Sequence, residues 1–288
     1  MKYKAIILKV LGIMLWIAIG TGITVLLVSG VQKEQHQKCR AIEVLFTDKK
    51  PFRMLDEQEI ITALWPSTSK DNPIGKYINS IHLYPLEKQL NRNPWVLNSD
   101  IYFDQQNVLH IDVQQRSPVA RLFSTDGNSF YIDDSLSILP LKLSDVVELP
   151  VFSNFLISPA GAKAADTLLM KRIVGLATEI RKYPFWMAQI EQVYINPDAS
   201  FDMITQMGDQ TISLGTGDNW ESMLTKLKKL YQYLGAENGW TKYQTIDLQF
   251  KDQVVCVKRG VPYVLVDSLP SSDSIGMKII ADSINIKH

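Results

Sequence analysis

From Val10 to Val31 the chain runs for 22 residues without a charge. In a helix rising about 1.5 Å per residue, that stretch would reach roughly 33 Å, enough to cross the hydrocarbon core of a bilayer. It is longer than the core of about 7 to 15 residues in a cleaved signal peptide, so the pattern predicts an uncleaved anchor. Beyond it the periodicity changes. Ile42, Val44 and Phe46 alternate, as in a half-buried strand. Ile60, Ile61 and Leu64 then recur at helical spacing ahead of Pro66, which predicts a short helix over 56–65. A second short helix or a turn is expected over 84–91. Two strands follow, Val96–Phe103 and Val108–Gln115, joined by Asp104-Gln105-Gln106-Asn107. Residues 41–116 thus read strand, helix, helix, strand, strand.

From Val119 onward the strands lengthen and two helices carry clear apolar stripes. Leu169, Ile173, Leu176, Ile180 and Tyr183 form one stripe, and Trp220, Leu224, Leu227, Tyr231 and Leu234 the other. Strands over 189–195 and 200–206 are separated by Asn196-Pro197-Asp198, and 211–214 follows a Gly208-Asp209 turn. A meander packed against helices is the simplest architecture. Only Lys251-Asp252 separates the last two predicted strands, 244–250 and 253–259, which suggests a tight hairpin. After Gly260 the chain is rich in Ser, Asp and Pro, so 261–288 is expected to be a flexible tail.

With 288 residues and 46% hydrophobic content, the chain has material for two or three folding units. The formal net charge is zero, and without Lys2, Lys4 and Lys9 (30 − 3) the remainder carries 27 basic against 30 acidic residues. No clustered surplus of Lys and Arg exists to bind phosphates, which argues against a nucleic-acid partner. His36, His82, His110 and His288 are scattered singly, and neither nucleotide-loop nor zinc-ligand spacings occur in full, so no cofactor and no metal is expected. Lys33, Lys38 and Arg40 after the apolar stretch balance Lys2, Lys4 and Lys9 before it, and charge bias alone leaves the orientation open. The folded mass lies after the stretch, which favours a cytoplasmic N-terminus and exported domains. Cys39 and Cys256 are expected as two free thiols, although the sequence does not decide their redox state.

Catalysis would need paired carboxylates in a cleft, or a nucleophile with a base. Asp100, Asp104, Asp133, Asp134 and Asp202 fall mostly in turns or at strand ends. Ser129, in Gly127-Asn128-Ser129-Phe130-Tyr131, lacks the second Gly of a nucleophile elbow. Gly215-Thr216-Gly217-Asp218-Asn219-Trp220 begins like a phosphate loop but has Trp220 in place of the third Gly, and Asp218 reads better as a helix N-cap. No catalytic constellation and no small-molecule substrate are expected. An anchored cell-wall hydrolase and a chaperone-like module of an envelope export system remain the alternatives to a binding scaffold.

The order of several motifs carries a resemblance. Asn93-Pro94-Trp95-Val96, Leu109-His110-Ile111-Asp112-Val113, Arg116-Ser117-Pro118-Val119-Ala120-Arg121, Tyr131-Ile132-Asp133 and Ile246-Asp247-Leu248 together resemble the FtsQ/DivIB family of bacterial cell division. The resemblance implies an α+β chain with a cytoplasmic tail (1–9), one transmembrane helix (10–31), a membrane-proximal POTRA domain (32–117), a mixed α/β "beta" domain with its sheet packed by helices (118–260) and a C-terminal tail (261–288). It implies a non-enzymatic divisome scaffold of the inner membrane at the septum, with partners of the FtsB and FtsL type. Trp95 is expected in the core, and Arg116, Pro118 and Arg121 at the domain junction. Two departures stand out: Asp133-Asp134-Ser135 lacks the Gly usual after Ile-Asp, and Gln249 replaces a residue that is often basic.

The partner site is expected at the last strand. If 253–259 is outermost in its sheet, one row of its backbone groups is unpaired and would accept a strand from another chain. Gln253, Val254, Val255, Cys256, Val257, Lys258 and Arg259 include no Pro and no acid. Gln249 and Phe250 complete the expected site, with Phe250 matching an aromatic position implicated in the family. The alternative is that the tail folds back over that edge.

Overall fold

The computed structural model describes residues 12–25, 37–47, 53–66, 72–142, 147–156, 164–236, 239–251, 253–260 and 281–284. Residues 12–25 form helix α1, whose residues 13–25 are apolar or small and exposed all round. At about 1.5 Å per residue its 14 residues reach roughly 21 Å. Among the described residues no helix is long and apolar enough to cross a membrane, and residues 10, 11 and 26–31 of the expected span lie outside them. The chain divides into two compact units, Met1–Arg116 and Ser117–His288.

The first unit has the predicted order: β1 (Ala41–Phe46), α2 (Glu57–Leu64), α3 (Leu83–Leu90), β2 (Val96–Phe103) and β3 (Val108–Gln115), with a 3-10 turn at Ile78–Ser80. The strands pair as β1-β3-β2, β1 parallel and β2 antiparallel to β3. Strict alternation along β3 buries Leu109, Ile111 and Val113 on one face, shared with Ile60, Leu64, Leu90 and Trp95 in the core. Trp95 is only 4% exposed, as expected of a core side chain. A capping box starts α2: Asp56 Oδ1 accepts the Glu59 N–H (2.7 Å) and Glu59 Oε2 accepts the Asp56 N–H (3.1 Å). Gln115 is buried and satisfied by the chain ahead of α2. Its Oε1 accepts the N–H groups of Met54 (2.9 Å) and Leu55 (3.1 Å), and its Nε2 donates to Leu55 O (3.1 Å).

The second unit is built on one mixed sheet. Its strands are β4 (Pro118–Ser124), β5 (Ser129–Asp133), β6 (Ile138–Pro140), β7 (Val151–Phe155), β8 (Ile190–Ile195), β9 (Phe201–Thr205), β10 (Thr211–Gly215), β11 (Tyr243–Asp247), β12 (Val254–Lys258) and β13 (Ala281–Ile284). They lie in the order β13-β12-β11-β10-β9-β8-β7-β4-β5-β6. The simple meander is therefore corrected: β4 with β7, β7 with β8 and β10 with β11 are parallel pairs. A parallel neighbour requires a crossover, and two of these are helical. Helices α4 (Ala164–Arg181) and α5 (Pro184–Gln189) connect β7 to β8, and α6 (Trp220–Ala236) connects β10 to β11. Ile173, Leu176 and Ala177 of α4 and Leu227 of α6 meet Phe152, Val193, Phe201, Met203 and Ile212 of the sheet in one core. Tyr183 leaves the predicted α4 stripe, because Pro184 opens the separate helix α5.

Arg172 of α4 clamps two sharp turns at one end of the sheet. Its Nη1 donates to Ala199 O (2.6 Å), its Nη2 to Gly215 O (3.1 Å), and the guanidinium lies 4.7 Å from the Phe201 ring centroid. Both residues that it holds are left-handed, Ala199 with φ 63° and Gly215 with φ 67°.

Candidate partner-binding edge

The two ends of the large sheet differ. At one, β6 is three residues long and finishes in Pro140, which has no N–H to offer a further strand. At the other, β12 carries Val254-Val255-Cys256-Val257-Lys258 with no such guard. Its inner face is anchored: Val254 and Cys256 belong to the core, Val257 is nearly buried, and Val255 and Lys258 are half-buried. Along one side it pairs antiparallel with β11, Ile246 opposite Cys256 and Asp247 opposite Val255.

The expectation that β12 is outermost is corrected by its other side. Ala281–Ile284 pairs antiparallel with it, Val254 opposite Ile284, Val255 opposite Ser283, Cys256 opposite Asp282 and Val257 opposite Ala281. Part of the tail expected to be flexible is thus a strand, formed by Ala281, Asp282, Ser283 and Ile284 through backbone pairing that composition does not reveal. The weighed alternative, a tail folded over the edge, is the arrangement observed.

The tight hairpin is corrected too. β11 ends at Asp247, and the connection to β12 spans residues 248–253. Lys226 of α6 explains this course, since its Nζ donates to Leu248 O (2.8 Å) and Phe250 O (2.5 Å) and draws the segment toward the helix. Lys226 is only 8% exposed, and nothing in its place beside the helical stripe announced that role. The connection borders a cleft of about 260 Å³ lined by Asp218, Ser222, Met223, Lys226 and Phe250, among others. Phe250 itself is 45% exposed. Asp247 is buried beneath this connection and its Oδ1 accepts the Gln249 N–H (2.9 Å). Desolvation pushes its carboxyl above the usual range, opposed by the bonds from Gln249 and by the charge of Lys226.

The other expected site residues divide between display and internal use. Gln253 is exposed. Gln249 packs its amide against Gly215, where a Cβ would collide with it. Arg259 is an internal clamp: its Nε donates to Thr241 O (3.2 Å) and its Nη2 reaches Gly208 O (3.4 Å) and Asp209 O (3.3 Å). Of the residues assigned to the junction, Arg116 donates its N–H to Trp95 O (2.9 Å) within the first unit. Within the second, Pro118 opens β4, and Arg121 donates Nε to Ser129 Oγ (2.9 Å) while lying 4.7 Å from the Phe123 ring centroid.

The acidic residues weighed for catalysis largely tie strands and turns. Asp104 accepts the Val108 N–H (2.8 Å) and contacts His110 Nε2 (3.1 Å), which hold its carboxyl below the usual range. Asp133 accepts from Ser135 Oγ (2.8 Å) and the Ser137 N–H (2.7 Å), and Asp202 from Ser213 Oγ (2.8 Å). Asp100 and Asp134 are exposed. Because α6 begins at Trp220, Asn219 rather than Asp218 stands at its N-terminal boundary. Among the described residues no group of three His, Cys, Asp or Glu is arranged to hold a metal. Cys39 and Cys256 are both buried free thiols, and burial raises the pKa of Cys39.

Comparison with known proteins covers both units. Residues 117–257 match the family described as FtsQ/DivIB, C-terminal related, and residues 37–114 match the POTRA-like domain. The chain is 23% identical over 191 residues to the cell division protein FtsQ of Geotalea daltonii, covering 64% of this chain and 66% of that protein. It is 24% identical over 228 residues to the cell division protein FtsQ of Geobacter sp. (strain M21), covering 77% of this chain and 76% of that protein.

Proposed function

Because the chain belongs to the FtsQ/DivIB family of cell-division proteins, we propose that it is a non-enzymatic scaffold of the inner membrane at the division septum, joining other division proteins through its exported units. The anchor in this reading is 10–31, with the N-terminus cytoplasmic. An apolar helix exposed on every side has no face to pack against its own chain, as α1 illustrates, and lipid would satisfy it. The partners are small single-span coiled-coil proteins of the FtsB and FtsL type, engaged by strand addition at the C-terminal end of the large sheet. One observation carries this reading: the strand β12, Val-rich, without Pro or acid and seated firmly in the core, with the exposed Phe250 beside it. Strand addition satisfies backbone groups that a sheet edge leaves open, and an adjacent aromatic ring supplies an anchor.

Full-length chain carrying a photocrosslinker at Phe250, recovered from growing cells, tests the proposal. Crosslinks to FtsB-type or FtsL-type proteins are the expected result. Crosslinks only to a barrel-assembly complex, or release of muropeptides by the purified chain, would replace the scaffold reading. A reporter that functions only after export, fused after Arg40, should be active.

A further inference from the structure

We infer that β13 is a placeholder: it occupies the edge of β12 that a partner strand takes by displacing it. The inference rests on the strand-addition reading above and adds the regulation of that site. Three observations carry it. First, β12 holds its place without β13, since Val254 and Cys256 are in the core and the opposite side pairs with β11. Second, β13 contributes four residue pairs at the end of a long connection, with 22 residues between Lys258 and Ala281. Third, its residues suit a strand poorly. Ala281, Asp282 and Ser283 stand in register opposite Val257, Cys256 and Val255, and Ala and Asp are disfavoured in sheets.

These features separate covering from binding. An open β12 would pair with any free strand, and Asp282 places a charge on the strand that covers it. A partner segment running antiparallel to β12, with β-branched or aromatic residues opposite Val255 and Val257, gains cross-strand pairs with both. It enters without unfolding the domain, and its apparent affinity is reduced by the fraction of chains whose edge is occupied.

The test uses the full chain and its double variant Asp282→Pro/Ser283→Pro. Adjacent residues of an antiparallel strand point their N–H groups to opposite sides, so one of the two prolines removes a bond to β12 whichever way β13 faces. Hydrogen exchange at the amides of residues 254–257 that point toward β13 should accelerate about tenfold or more, while those that point toward β11 keep their protection. A labelled peptide of residues 277–288 should bind the variant about tenfold more tightly than the unaltered chain. Unchanged exchange together with equal peptide binding would show that β13 does not guard the edge. Crosslinked capture of an FtsB-type partner should rise in the variant. Equal or weaker capture overturns the placeholder alone, and capture by neither chain brings down the strand-addition reading and this inference with it.

Discussion

Lys226→Met isolates the two bonds that shape the connection beside the proposed partner edge. Methionine keeps an unbranched stem of similar volume in the core and removes only the ammonium group. Leu248 O and Phe250 O then lose their donor, and Leu248 is wholly buried, so water has little access to its carbonyl. Hydrogen bonds to charged groups contribute about 1.5–3 kcal/mol each, and the desolvation of a buried ammonium offsets part of their sum. A net loss of roughly 2–4 kcal/mol follows, within the usual stability of a folded domain. For a unit of this size that is a fall in melting temperature of about 4–16 °C. The effect also depends on pH. The Lys226 charge opposes the upward shift of the Asp247 pKa, so removing it pushes that pKa further up. An acid whose folded pKa lies above its unfolded one lowers stability when ionised, a loss absent below the unfolded pKa and complete above the folded one. The destabilisation by Lys226→Met should therefore be largest at neutral pH and smaller toward pH 3.8, the ordinary value for Asp247. Thermal melts of full-length chain in detergent at both pH values measure it. A change below about 0.5 kcal/mol, the same at both, would show that these bonds do not hold the segment.

Three further outcomes are expected. Asp247→Asn keeps an acceptor for the Gln249 N–H and removes a charge that burial disfavours, so it should raise the melting temperature at pH 7 and leave it unchanged below pH 3.8. Phe250→Ala should weaken FtsB-type partner capture by about 2 kcal/mol with a nearly unaltered melt, because the residue is 45% exposed in the free chain. A fall in melting temperature without lost capture would make Phe250 a packing residue instead. Gln115→Ala in the first unit removes three hydrogen bonds and should lower its stability by about 3 kcal/mol, read by denaturant titration of the full chain. A small change in midpoint there would mean that water replaces the lost side chain.

Where local pattern decided the structure, it was readable. The alternation along Val108–Gln115 and the helical spacing of Ile60, Ile61 and Leu64 ahead of Pro66 predicted a strand and a short helix that the fold retains. The edge proposed for the partner was half readable. Val254 and Cys256 face the core as alternation requires, and Phe250 is exposed. Arg259 was expected within the partner site, yet it bonds to carbonyls of residues 208 and 209, some 50 positions earlier. No local signal marks a side chain for a distant carbonyl.

The sequence by itself determined the apolar N-terminal stretch, the order of elements in the first unit, the stripes of α4 and α6, and a Val-rich strand near the C-terminus without Pro or acid. Each follows from a period of 2 or 3.6 residues or from composition, and neighbours along the chain suffice to produce those signals. The tertiary structure alone decided which strands lie side by side. Parallel neighbours brought together by α4, α5 and α6 leave no trace in periodicity, because any strand with one apolar face satisfies the same pattern at many positions in a sheet. It also decided that Lys226 bends the segment after Asp247, and that Ala281–Ile284 returns to cover Val254–Lys258. Those arrangements are set by open backbone groups meeting across space, and every non-proline residue carries the same N–H and C=O whatever its side chain.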